Sequence, residues 1–175
     1  YNRLMVEYLT EAIILDKRPD KNLDAVFTVF SRNLGKVYGK ATSSRKITSK
    51  LASHLEPGTL AKIRLARKSV GDNFRIVEAL AEAKRSDPET IRFLMFLDKM
   101  VPASAKDEVL FMFCREVIKD PEFSEKMAYR GLLKIIGLDP DKACCAVCGS
   151  RKIAYFSSQD IMFLCRQCGK KRYGY

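Results

Sequence analysis

At 175 residues and 19.9 kDa the chain can bury one sizeable core or two small ones. Hydrophobic residues at 47% and charged residues at 30% are the composition of an ordinary soluble protein, and unbroken apolar runs such as Phe93 to Leu97 are far too short to span a bilayer. The net charge of +11 points instead to an anionic partner. No signal-peptide pattern opens the chain, so a soluble, intracellular protein is expected; a start on Tyr1 rather than Met reads as trimmed.

That charge is uneven. Residues 1–80 carry 15 Lys and Arg against 8 acids, residues 81–140 carry 10 against 11, and residues 141–175 carry 7 against 2. A basic front, a neutral middle and a basic tail suggest a polyanion held at the two ends. Membrane phospholipid could supply negative charge too, but the sequence offers no basic amphipathic helix to lie on it, so no membrane partner is expected.

From Leu9 to Ala81 the hydrophobic period is two, with many Val, Ile, Phe and Thr. Five strands are predicted: Thr10–Asp16, Ala25–Arg32, Lys36–Ala41, Leu60–Lys68 and Phe74–Leu80. Turn-like breaks separate them at 18–22, 33–35, 57–58 and 71–73. A short helix is predicted from Ile47 to Glu56. Five strands with a helix after the third is the element order of an OB-fold barrel; a small SH3-like barrel or an open sheet has the same strand count.

After Lys84 the period becomes 3.6. Asp87 and Pro88 cap and open a first helix, a second is predicted from Ser104 with Asp107 as its capping partner, and Asp120-Pro121 opens a third over Glu122 to Ile136, which stops at Gly137. Residues 143–175 then hold five of the six cysteines. Cys145-x-x-Cys148 and Cys165-x-x-Cys168 have the two-knuckle spacing of a tetrahedral zinc site, with a hairpin of Ile153 to Ser157 and Ile161 to Leu164 between them. Two disulfides or free thiols are the alternatives, and disulfides would require an oxidising compartment. Four thiolates leave no position for a catalytic water, so one structural zinc is expected. Cys144 is placed outside the sphere, and Cys114, in an apolar helical run, reads as a core residue. The expected fold class is α+β: a five-stranded OB-fold β-barrel over residues 1–82, an α-helical domain over 83–142, and a four-cysteine zinc module over 143–175 packed on the helical domain.

Strand alternation places Lys36, Tyr38 and Lys40 on one side and Val37 and Gly39 on the other. Lys62 and Arg64 likewise oppose Ile63 and Leu65. The connection between the two strands adds Arg45, Lys46 and Lys50. Cations on an outer wall are usually just solvated; two strands and a loop together predict contact with nucleic-acid phosphates, with Tyr38 as one stacking surface. Because only one aromatic joins the set, weak sequence preference is expected.

No catalytic centre is expected. His54-Leu55-Glu56 matches the H-x-E of zinc deaminases, but Cys144 rather than proline precedes Cys145 and about 90 residues separate the halves. The chain has no phosphate-binding P-loop and no nucleophile elbow.

The stretches Thr10–Leu15, Phe27–Val37, Ser49-Lys50-Leu51, Leu55-Glu56-Pro57, Leu132-Leu133, Gly137-Leu138 and the two cysteine knuckles together resemble the RecO recombination mediator family of bacterial DNA repair proteins. The resemblance implies a bacterial cytoplasmic, nucleoid-associated protein. It implies binding of single- and double-stranded DNA, annealing of complementary strands and partnership with RecR. It also implies contact with the acidic C-terminal tail of single-stranded DNA-binding protein, and indirect help in loading RecA. By position it assigns DNA contact to Arg32, Lys36, Lys40, Arg45, Lys46 and Lys50. Relatives usually continue with more helix after the second knuckle, where this chain stops at Tyr175, and often carry a glycine in the basic loop that is absent here. The competing reading is a zinc-containing scaffold that binds protein, with DNA contact incidental.

Overall fold

The alternating apolar residues of the first half become five antiparallel-rich strands: β1 (Val6–Pro19), β2 (Ala25–Ser31), β3 (Gly35–Ala41), β4 (Thr59–Arg67) and β5 (Phe74–Lys84). A computed structural model describes residues 5–42, 44, 50–67 and 73–174. The strands pair in the order β1-β2-β3-β5-β4, and β4 returns to β1, so the sheet closes into a barrel. All pairs are antiparallel except β3 with β5, which meet in parallel at Gly39↔Phe74 and Lys40↔Arg75. Gly39 is needed there. A Cβ on it would lie 2.8 Å from Cγ1 of Ile76, so a larger residue would hold the two strands apart.

Inside the barrel, Ala12, Ile14, Phe27, Val29, Val37, Ile63, Leu65 and Ile76 form a dry core, closed by Leu55 from the β3–β4 connection. Of the short helix expected over Ile47–Glu56, residues 47–49 lie outside the described residues; the described part of the connection holds a 3-10 turn, Ala52–His54. A β-bulge between Ile14 and Asp16 resets the alternation of β1. Part of the outer wall is buried as well: Ile13, Phe30 and Leu60 are fully covered, and Phe30 meets Phe111 at 5.9 Å. The cover comes from helices α1 (Pro88–Met100), against β1, and α2 (Glu108–Lys119), against β4 and β5.

The chain divides into two compact units, residues 1–125 and 126–175. The first two helices share their apolar faces with the barrel.

Helix starts follow cap chemistry. Asp87 accepts from the Thr90 amide at 3.0 Å and Pro88 takes the first position of α1, as expected. Helix α2 begins later than Ser104. Ser104 sits at φ 60 and its amide donates to the Lys36 carbonyl at 2.8 Å, so Asp107 is the cap and accepts from the Leu110 amide at 2.9 Å. Asp120 closes α2 instead of opening the next helix, its amide donating to the Glu116 carbonyl at 2.9 Å. The third helix, α3, therefore starts at Glu125 and runs to Ile135. Arg85 binds the end of α2: its guanidinium donates to the carbonyls of Val117 (3.1 Å), Asp120 (2.8 Å) and Phe123 (3.1 Å) and to Asp87 (2.9 Å).

The second unit contains most of α3, the hairpin of β6 (Ile153–Ser157) and β7 (Met162–Cys165), and α4 (Arg166–Tyr173). Leu164, Cys145 and Cys165 form its small core with Tyr155, Met162, Cys168 and Tyr173 around them. Among the described residues, no helix is long and apolar enough to cross a membrane.

Burial pushes the Asp87 carboxyl up, but bonds from Thr90 and Arg85 outweigh it and hold its pKa at about 2. A depressed folded pKa contributes stability above the ordinary carboxylate range that is lost as pH falls through the folded value. Asp87→Ala should therefore cost about 1 kcal/mol at neutral pH. In urea melts the gap from wild type should narrow steadily as pH drops from 4 toward 2; a gap independent of pH would show that the charge of Asp87 is irrelevant.

Candidate nucleic-acid interface and metal centre

The two cysteine knuckles meet as their spacing predicts. The sulfurs of Cys145, Cys148, Cys165 and Cys168 all lie within 4.8 Å of one another, with Cys148 and Cys165 3.7 Å apart. A disulfide requires about 2.05 Å, and none is formed. A tetrahedral ion with zinc–sulfur bonds of about 2.3 Å would set its sulfurs about 3.8 Å apart, so the cluster fits one such ion. The hairpin register Ile153↔Cys165 brings the second knuckle back to the first, and the Cys145 amide donates to the Ser150 carbonyl at 2.8 Å to close the first turn.

Electrostatics agree with a cation site. Backbone amides of Cys165 and Cys148 stabilise the Cys145 thiolate and lower its pKa to about 6. The neighbouring Cys165 sulfur, helped by burial, pushes Cys168 up to about 12. Crowded sulfurs cannot all ionise together without a dication among them. Cys144 is exposed and outside the cluster, and Cys114 is fully buried, its thiol pushed upward by desolvation.

The barrel cations are arranged differently from the expected open cationic wall. Lys36 is only 7% exposed, and its ammonium donates to the Asp98 carbonyl at 2.5 Å and to Asp98 Oδ1 at 3.1 Å. It ties β3 to α1. The expectation that Lys36 faces outward with Tyr38 and Lys40 is thus corrected: the helices cover that end of the strand, and the lysine is buried against one of them. Tyr38 is 41% exposed on the outer wall. Lys40 pairs with Asp20 (2.8 Å) and Asp24 (3.0 Å), whose hydrogen bonds raise its pKa while Lys40 lowers that of Asp20.

Arg32 pairs with Glu108 and with Glu11 at 3.5 Å. Lys62 pairs with Glu82 at 3.0 Å, and Arg64 with Glu78 and with Glu7 at 3.5 Å. The outer wall around β4 therefore sets two cations among four glutamates, because Glu11 lies across from Lys62 in the ladder. Such exposed pairs are worth only about 0–1 kcal/mol each and a phosphate could displace them, but the released carboxylates would repel it. Lys50 is exposed; Arg45 and Lys46 lie outside the described residues.

Two cations without an ion pair to any described carboxylate, Arg67 and Arg75, sit instead at one end of the barrel. Register places the ends of β3 and β4 and the start of β5 together there: Lys40 opposes Arg75, and Ala66 opposes Arg75. The Arg67 guanidinium lies over the Phe74 ring at 4.9 Å and the Tyr8 ring at 5.7 Å, and those rings meet edge-to-face at 5.8 Å. Exposed Arg75 lines a neighbouring cleft of about 390 Å³ with Met5, Glu7, Thr42, Leu51 and Val77. Sequence reasoning passed over Arg67 because it falls in the inward register of β4. Its place at the strand's last position, where a long side chain can lie across the barrel mouth, was the available signal.

A closed barrel with a cationic, aromatic mouth, buttressed by helices, in a chain that also carries a four-cysteine cluster able to hold a metal ion, defines a mixed α+β protein. Residues 5–82 match the family described as recombination protein O N terminal. The chain is also 27% identical over 179 residues to DNA repair protein RecO of Thermodesulfovibrio yellowstonii, covering 93% of this chain and 70% of that protein. The RecO of a Thermoanaerobacter species is 25% identical (93% and 71% covered), and that of Dehalococcoides mccartyi also 25% (96% and 72%). The match to the recombination protein O N-terminal family is confined to the barrel, and the similarity to RecO proteins extends over more than nine-tenths of the chain.

Cobalt(II) added to reduced protein should develop the visible bands of tetrahedral thiolate coordination, saturating at one ion per chain. Cys145→Ser should abolish that spectrum and Cys144→Ser should leave it intact; the reverse pattern would exchange Cys144 for Cys145 as ligand.

Proposed function

We propose that the chain is a DNA repair mediator without a catalytic centre, which binds single- and double-stranded DNA through phosphates and promotes annealing of complementary strands. The observation that carries this reading is Arg67 held against two aromatic rings at the barrel mouth beside Arg75. A guanidinium that makes no ion pair with a described carboxylate can neutralise a phosphate, and Tyr8 offers a π-face at the same place. Strand order β1-β2-β3-β5-β4 with a parallel β3–β5 contact is the arrangement of an OB-fold, whose β4–β5 connection is one of its usual oligonucleotide contacts. Arg67, Phe74 and Arg75 flank that connection. Lys50 and, from the sequence, Arg45 and Lys46 add cations from the β3–β4 connection, and Tyr38 and Lys40 extend the surface along β3.

Annealing needs no reacting group. A cationic surface reduces repulsion between two backbones, and counterion release favours the complex. The four-cysteine centre would hold zinc as a closed, structural site. Similarity to proteins named DNA repair protein RecO supports the repair role, and through it RecR, the acidic tail of single-stranded DNA-binding protein and, indirectly, RecA are proposed as partners.

Fluorescence anisotropy of labelled single-stranded DNA tests the reading. Arg67→Ala combined with Arg75→Ala should weaken binding about tenfold or more and flatten the salt slope by about 1.4, at 0.7 per phosphate contact. Lys36→Met, which removes a buried cation, should leave affinity unchanged. Equal losses in both variants would return the site to the β3 wall, and affinity insensitive to salt in wild type would favour the scaffold.

A further inference from the structure

We infer that the second unit, residues 126–175, is itself a nucleic-acid backbone-binding surface, built from the basic residues that flank the two cysteine knuckles. The inference deepens the DNA-binding reading above and rests on it for the class of partner.

Charge partition is the first observation. Residues 126–175 carry 10 Lys and Arg against 3 Asp, or +7, whereas residues 1–125 carry 22 against 18, or +4. Most of the chain's excess charge is therefore in its smaller unit. Four thiolates around one dication would add −2 and still leave the unit at +5.

The second observation is how those acids are used. Asp141 is bound by Arg130 and by Lys134 at 2.7 Å. Asp139 accepts from the Asp141 amide at 3.0 Å and faces the same lysine. Asp160 is held by Tyr173 and by Arg172 at 3.5 Å. Lys142, Arg151, Lys152, Arg166, Lys170 and Lys171 are all exposed, and none makes an ion pair with a described carboxylate. On the barrel wall, by contrast, Arg32, Lys40, Lys62 and Arg64 each have an acidic partner.

Third, the fold gathers these cations. Ile153 opposes Cys165, so Arg151-Lys152, leaving the first knuckle, and Arg166, entering α4, lie at one end of the hairpin. Lys170 follows Arg166 by one helical turn on the same side of α4. Closure of the four cysteines around an ion is what fixes the two basic segments side by side. Several exposed cations in a row, each a weak contact, suit a regularly spaced polyanion. The large apolar residues of the unit that are exposed near the knuckles, Val147 and Ile161, lie in a knuckle and at the hairpin's far tip rather than along that row, which disfavours insertion into lipid.

The test is a salt titration of full-length, metal-loaded protein with fluorescent single-stranded oligothymidylate. It compares wild type, the barrel variant Arg67→Ala/Arg75→Ala, and a module variant with Arg151→Gln, Lys152→Gln, Lys170→Gln and Lys171→Gln. With bound metal retained, the module variant should bind at least about tenfold more weakly at low salt and lose about 2 to 3 from the salt slope, at 0.7 per contact. An unchanged slope and affinity would overturn the inference while leaving the barrel reading in place. Loss in the module variant with none in the barrel variant would support the inference and overturn the barrel site. Should the fourfold variant lose metal, Lys170→Gln/Lys171→Gln, beyond the last ligand, gives the readout, with a slope loss of about 1.4 expected. Phosphatidylserine vesicles serve as the rival polyanion: a module variant deficient in vesicle binding alone would reassign the surface to lipid.

Discussion

The two-residue parallel contact between β3 and β5 is what makes the first unit a barrel and gives it a mouth. Four of the five strand pairings are long antiparallel ladders, three of them between consecutive or near-consecutive strands and one, β1 with β4, long-range; the fifth is only two residue pairs long and joins segments more than thirty residues apart. It forms because Gly39 has no side chain to meet Ile76. Once made, it places the ends of β3 and β4 beside the start of β5, and with them Arg67, Phe74 and Arg75. The cationic mouth is thus a consequence of closure, not of any one strand.

Where charge goes is decided by what the helices cover and where the carboxylates sit. Lys36 has a basic side chain at an outward register position, yet α1 lies over it and Asp98 takes its charge. The buried ammonium is matched by a carboxylate and a carbonyl, as a buried charge must be. On the exposed wall, glutamates of β1 and β5 neighbour the cations of β4, so the field there is weak at any distance beyond contact. Among the described residues, Arg67 and Arg75 at the barrel mouth and the exposed cations beside the cysteine knuckles make no ion pair with a described carboxylate. Net charge by region therefore suggests a polyanionic partner but does not say which residues would face it.

Much of the architecture was legible because it rests on local chemistry. Period-two alternation located all five strands, with ends off by a few residues where Val6–Leu9 and Ala81–Lys84 extend β1 and β5 past the obvious apolar core. Cysteine spacing pointed directly to the four-sulfur cluster, since two tight turns leave the sulfurs little choice of neighbour. Aspartate-proline steps were ambiguous: Asp87-Pro88 opens a helix, whereas Asp120-Pro121 follows the end of one. Proline is compatible with both places, and only the packing of α2, with Arg85 on its last carbonyls, decides. The partner of each surface cation was not legible at all, because Glu108, Asp98 and Glu82 lie far along the chain from the residues they neutralise.

The proposed polyanion contact at the barrel mouth and beside the cysteine knuckles, and not on the ion-paired wall of β4, can be tested residue by residue. The measurement is the perturbation of arginine Nε and lysine Nζ resonances during titration with a single-stranded oligonucleotide. Shifts should concentrate at Arg67, Arg75, Arg151, Lys152, Arg166 and Lys170, with Lys36, Lys62 and Arg64 unmoved. Shifts centred on Lys62 and Arg64, with the mouth and knuckles silent, would place the contact on the wall and refute this assignment.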